Sequence, residues 1–108
     1  MRITYGKLIR DRIPEIMDSA GVRYEVVELD DADFRSALLA KVLEEAEEIA
    51  AAATVDDRIK EIADLYEVLD ALLVREGIAP ETVADVRRRR REERGGFERR
   101  LELRWTEG

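Results

Sequence analysis

The sequence predicts a mainly α protein: a helical bundle of about four helices with a small two-stranded β element, completed by dimerisation. Three observations carry this reading. Apolar residues recur at helical spacing across residues 31–76, proline and glycine punctuate the chain where helices begin and end, and two short stretches rich in β-branched and aromatic residues stand outside the helical pattern. A single domain, 1–108, is the expected organisation, and at 108 residues it buries only a modest core unless a second copy adds to it.

The elements follow in order. "MRITYGKLIR" has Gly6 and no helical period, which suggests an ordered loop or short extended arm. "IPEIMDSAG" reads as a short helix, with Pro14 in its first turn and Gly21 as its stop. "VRYEVVEL", residues 22–29, has the β-branched and aromatic content of a strand. Asp30 or Asp31 can cap the next helix, which runs to about Ala53. "TVDD" ends it and supplies caps for a third helix over roughly 57–76, closed by Gly77. Pro80 opens a fourth, which continues through the arginine run to Gly95. "FERRLELRW" places Phe97, Leu101, Leu103 and Trp105 on one alternating face, so a second strand is expected to pair with the first.

Composition excludes several chemistries. Charged residues make up 42% of the chain and aromatics 6%, with enough aliphatic residues for a folded helical protein. No apolar run approaches the ~20 residues of a membrane span, and no export signal is apparent, so a cytoplasmic protein with no membrane partner is expected. The chain has no cysteine and no histidine. Disulfides, thiolate nucleophiles, imidazole bases and the Ser-His-Asp triad are therefore absent, and any metal must be held by oxygen. That favours magnesium, manganese or calcium. The net charge of −7 is unevenly spread: from Asp85 to Arg104 nine arginines stand against five acids, a local balance of +4, which leaves −11 for the rest.

The stretch "KVLEEAEEIA", residues 41–50, holds four glutamates, and helix geometry separates them. At ~100° per residue with Glu45 at zero, Leu38, Ile49, Val42, Ala46, Leu39, Ala50 and Leu43 fill an arc from about 20° to 160°, the expected buried face. Phe34 and Ala52 fall near 340°, so Glu45 has apolar neighbours on both sides, with Lys41 and Glu48 at roughly 320° and 300°. Glu44 and Glu47 turn away from the arc. The next helix repeats the template: with Glu61 at zero, Leu72, Leu65, Leu69, Ile62, Leu73, Tyr66 and Ile59 span about 20° to 160°, Val68 sits near 340° and Asp64 near 300°. An antiparallel pair of such helices brings Glu45/Glu48 and Glu61/Asp64 together. Four converging carboxylates repel one another, and burial penalises their ionised forms, so either their pKa values rise or a cation neutralises them. A hard divalent ion suits four such ligands.

"KVLEEAEEIA" followed by "EIADLYEVLDAL" resembles the EExxE…ExxD signature of the all-α nucleoside triphosphate pyrophosphatases, the MazG-like superfamily. "YGKLIRDRIPEIM" and "RGGFERRLEL" are similar to a branch of short, single-domain members described as house-cleaning or phosphoribosyl-ATP pyrophosphohydrolase-like proteins. This resemblance implies that Glu45, Glu48, Glu61 and Asp64 bind Mg2+, with Mn2+ as a substitute. It also implies hydrolysis of a nucleoside triphosphate between its α and β phosphates, giving the monophosphate and pyrophosphate, with modified nucleotides among the substrates. No side-chain nucleophile is needed when water activated by the ion attacks phosphorus. Glu44 or Glu48 is the candidate to orient that water.

Phosphates call for cations beyond the metal. Lys7, Arg10 and Arg12 are the first candidates, since guanidinium forks match phosphate oxygens, and Lys41 precedes the acidic pair where related proteins carry a lysine. Arg94, Gly95 and Gly96 form a second candidate segment, because paired glycines let a backbone approach a ligand, although the same pair also ends a helix. The run Arg87–Arg91 wraps around its helix and reads mostly as a solvated surface; related proteins would show a lysine or two there. Two other functions stay open: phosphoribosyl-ATP pyrophosphohydrolase of histidine biosynthesis, and a non-catalytic helical module that binds nucleotide or nucleic acid. The acidic remainder of the chain opposes nucleic-acid binding. The expected partners are a nucleoside triphosphate and further copies of the chain.

Overall fold

Four helices account for all the regular structure in the computed structural model, which describes residues 1–108: α1 (Ile13–Ser19), α2 (Asp31–Ala51), α3 (Val55–Glu76) and α4 (Pro80–Arg94). The chain forms two compact units, Met1–Gly77 and Ile78–Gly108. The mainly α expectation agrees with this. No helix is long and apolar enough to cross a membrane.

Local chemistry sets the boundaries of the two long helices. Asp30, in extended conformation, accepts a hydrogen bond from the Asp33 N–H at 2.8 Å and starts α2. Thr54 does the same for α3 through Asp57 N–H at 3.1 Å, so α3 begins two residues before the expected position. Gly77 ends α3 in the left-handed region at φ 67°, where its N–H bonds back to Leu73 and Val74 carbonyls.

The first unit is organised by the α2–α3 hairpin. Only residues 52–54 separate the helices, so they run antiparallel, and both ends are pinned. At the closed end the Arg58 guanidinium donates to the Ile49 carbonyl at 3.3 Å and the Ala52 carbonyl at 2.8 Å, satisfying acceptors that the end of α2 leaves free. At the open end Arg35 pairs with Glu76 at 2.6 Å, and Arg75 reaches the Asp31 carbonyl at 3.4 Å.

Two expectations are corrected here. Residues 22–29 and 97–105 form no strands and remain exposed, so the two-stranded β element is absent. Their β-rich composition favours a half-buried pleated surface, but a strand also needs a partner for its backbone, and an isolated two-stranded ribbon is marginal in water. The second correction concerns the apolar arcs. The seam between α2 and α3 is not centred on them; it is centred near Leu38, Glu45 and Glu61, and the far halves of the arcs, including Leu43 and Tyr66, stay exposed.

In the second unit α4 starts with Pro80 in its first turn and gives way at Gly95, whose φ is 82°. A side chain at Gly96 would collide with the ends of Arg91 and Glu98, which pair directly above it. That ion pair holds the Glu98 carboxyl below the usual glutamate range.

Candidate metal centre

The hairpin geometry brings together residues from the middle of α2 and the first half of α3. Glu45, Glu61 and Asp64 each place one carboxylate oxygen within 4.8 Å of the others. Glu48 is more exposed and lies outside this trio, yet it is close enough to Glu61 to share a hydrogen bond with it.

Glu45 is 5% exposed and is the one buried charged residue of the chain. Its Oε1 lies 3.7 Å from the Lys41 ammonium, whereas its Oε2 has no hydrogen-bond partner. The Oε2 of Glu61 is likewise buried and unpartnered. Orphaned acceptors on two carboxylates of one cluster are costly, because neither carboxylate can donate to the other while both are ionised.

The electrostatics answer this crowding with protons. Burial raises the Glu45 pKa above the ordinary glutamate value, and the nearby Glu48 and Asp64 charges push it the same way; a hydrogen bond to Glu61 and the Lys41 charge oppose them. Glu61 is pushed up to about 7, first by the hydrogen bond with Glu48, then by desolvation and by Glu45. A proton held on Glu61 lets it donate to its neighbours. A cation among the same oxygens would do the same work without the proton.

Cations already border the cluster. Lys41 sits 3.2 Å from Glu44 and 3.7 Å from Glu45, and Lys7, from the N-terminal segment, lies 3.6 Å from the other oxygen of Glu44. Arg10 pairs with Asp64 at 2.5 Å. Lys7, Arg10 and Lys41 therefore gather at the carboxylates. Arg12 does not: it pairs with Glu15 one turn along at 3.2 Å and is exposed. Arg94, Gly95 and Gly96 belong to the second unit, where Gly95 and Gly96 serve the exit from α4.

No protein-family model matches this chain, and no curated protein or solved structure matches it.

The donor set fits a hard divalent cation. All candidate ligands are carboxylate oxygens, three of them already converge, and two buried oxygens lack any partner in the protein. Beside the cluster a cavity of about 90 Å³ is lined by Gly6, Lys7, Leu8, Ala37, Ala40, Lys41 and Glu44. It has room for a few waters and is too small for a nucleoside.

Sequence reasoning undervalued Glu44 as a structural partner. Its position away from the apolar arc suggested a solvated side chain, but it is only 31% exposed and bridges two lysines. The i,i+3 spacing from Lys41 was a legible signal for one of those contacts. The contact with Lys7 was not, because it crosses 37 positions of sequence from a segment with no regular structure.

Proposed function

We propose that the protein is a Mg2+-dependent nucleoside triphosphate pyrophosphohydrolase that converts a nucleoside triphosphate and water to the monophosphate and pyrophosphate, modified nucleotides included. The observation that carries this reading is the pair of buried, unpartnered oxygens, Glu45 Oε2 and Glu61 Oε2, within a carboxylate cluster on two consecutive helices. The resemblance of "KVLEEAEEIA" and "EIADLYEVLDAL" to the MazG-like signature supports the choice of reaction.

In this reading Glu45, Glu61 and Asp64 hold the ion, with Glu48 at the margin as a fourth ligand, and Mn2+ can replace Mg2+. Bound there, the ion would neutralise phosphate charge and make a nearby water more acidic. The chain's own groups do the rest. Arg10 turns from Asp64 toward a phosphate oxygen, and Lys41 and Lys7 supply further positive charge on the same side. Glu48, exposed enough to meet solvent, accepts the proton as water oxygen bonds to the α-phosphorus. The α–β bridging bond breaks, and pyrophosphate leaves with the bridging oxygen. Glu44 positions the two lysines.

A screen of standard and modified triphosphates with Mg2+ tests this. Release of pyrophosphate without orthophosphate is expected, and it should disappear when Glu48 and Asp64 are both alanine. Activity that survives the double substitution removes the assigned site.

A further inference from the structure

The N-terminal segment is held against the α2–α3 hairpin at two points, one on each helix. Lys7 lies 3.6 Å from Glu44 on α2, and Arg10 lies 2.5 Å from Asp64 on α3. Between these two cations Leu8 and Ile9 are half-buried, whereas every other residue up to Arg12 is exposed. Gly6, Lys7 and Leu8 face Ala37 and Ala40 of α2 across the small cavity. Residues 1–9 make no backbone–backbone hydrogen bond; the first is from the Ile13 N–H to the Arg10 carbonyl, at 3.1 Å. In each ion pair the cation is exposed and the carboxylate half-buried, so water screens the attraction and a competing charge can undo it.

Both anchors are connected to the carboxylate cluster. Asp64 belongs to the converging trio itself. Glu44 does not, but Lys41 bridges it to Glu45, at 3.2 Å and 3.7 Å. A cation that takes Asp64 therefore displaces Arg10 directly. One that takes Glu45 frees Lys41 to turn fully onto Glu44, where it competes with Lys7 for the same carboxylate. We infer that residues 7–10 form a strap that a divalent cation unlocks: binding among Glu45, Glu61 and Asp64 releases Arg10 and Lys7, which the empty cluster and its neighbour hold in place. The strap rests on the cation site proposed above but not on hydrolysis. That site has its own pointer to a ligand, the Glu45 side chain, 6% exposed and with Oε2 unpartnered. The consequence is an order of events. With the cluster empty, Lys7, Arg10 and Lys41 are all committed to carboxylates; once the cation is in, Lys7 and Arg10 are available to an anion. The coupling is reciprocal, so the factor by which the cation loosens the strap is the factor by which the strap weakens cation binding.

Trypsin tests this on the native chain. It must grip the lysine or arginine side chain before it cuts, so cleavage after Lys7 and Arg10 reads the release of those two cations. Where opening is fast relative to cutting, the rate follows the open population. Mg2+ alone, at a concentration that saturates the site by calorimetry, should speed both cuts by up to about fivefold, the most that loss of one exposed ion pair allows. Cleavage after Arg100, in the exposed C-terminal segment, should not change and serves as the reference. KCl of matched ionic strength should have a much smaller effect. Arg10→Ala should be cut faster after Lys7 in EDTA, gain little more from Mg2+, and bind Mg2+ more tightly by the same factor. Should that variant misfold, the rates of the native chain decide alone. Saturating Mg2+ with unchanged cleavage after Lys7 and Arg10 overturns the strap and leaves the cation site standing. Equal acceleration by KCl overturns it as well, because screening then explains the release. Absence of any Mg2+ binding heat or melting shift removes the site and the strap together.

Discussion

The Arg10 guanidinium lies 2.5 Å from the Asp64 carboxylate, joining the N-terminal segment to α3 across 54 positions of sequence. Asp64 is thereby occupied by a side chain that an incoming cation must displace or share. Arg10 is exposed and Asp64 half-buried, so water screens the pair and it contributes at most about 1 kcal/mol. Arg10→Ala is therefore expected to tighten Mg2+ binding in the absence of nucleotide, by up to about fivefold. If Arg10 also receives phosphate, the same variant loses about tenfold or more in kcat/KM. Calorimetric Mg2+ titration beside pyrophosphate-release kinetics checks the two opposite signs; equal losses in both would contradict the role given to Arg10.

Glu45 presents the reverse case, a charge held where the protein disfavours it. Glu45→Gln keeps the shape and removes the ionised oxygen. Without metal the variant should melt higher than the native chain by a few degrees, the scale of about 1 kcal/mol in a domain of this size. Added Mg2+ should raise the native melting temperature and leave that of the variant nearly unchanged. Paired thermal melts in EDTA and in Mg2+ make the measurement. A Gln variant that melts lower in both buffers would mean that Glu45 is there for packing.

The pKa of Glu61, pushed up to about 7, sets a pH dependence. Between its ordinary value of 4.5 and about 7 the folded state keeps a proton that the unfolded chain has released, so metal-free stability falls as pH rises through that window. Glu45, raised in the same direction, adds to the slope. Mg2+ competes with the proton, so its affinity should rise across the same range and its stabilising effect should be largest above pH 7. Melting temperatures from pH 5 to 8 with and without Mg2+ should thus diverge toward the alkaline end. Parallel curves would exclude Glu61 from the ligand set.

Helix starts and stops were legible because they depend on neighbours in sequence: Asp30 caps α2, Gly77 closes α3, and Pro80 begins α4. The phase of Glu45 was legible for the same reason, since its position within an apolar stripe follows from spacing alone. What failed depended on partners. Val22–Leu29 has the composition of a strand but nothing to pair with. A helical wheel shows which side of α2 is apolar, but not which half of a wide stripe α3 takes, and it took the half beside the glutamates. The approach of Lys7 and Arg10 had no local signal, because long side chains on an irregular segment are placed by the surface they meet.

Arg58 is the residue on which the hairpin's closed end depends most directly. It lies within the first turn of α3, donates to the Ile49 and Ala52 carbonyls, and is partly buried while doing so. Its positive charge also faces the negative end of the α2 dipole. Arg58→Ala leaves two acceptors short of donors and should cost about 1–3 kcal/mol, lowering the melting temperature markedly. Arg58→Lys restores the charge without the fork and should recover only part of it. Neither change touches the carboxylates. At a temperature where both variants remain folded, Mg2+ affinity should stay within about twofold of the native value, because the sites are independent. A much larger loss of Mg2+ binding in a folded Arg58 variant would show that the register of the two helices, and with it the meeting of Glu45 and Asp64, is set at this end of the hairpin.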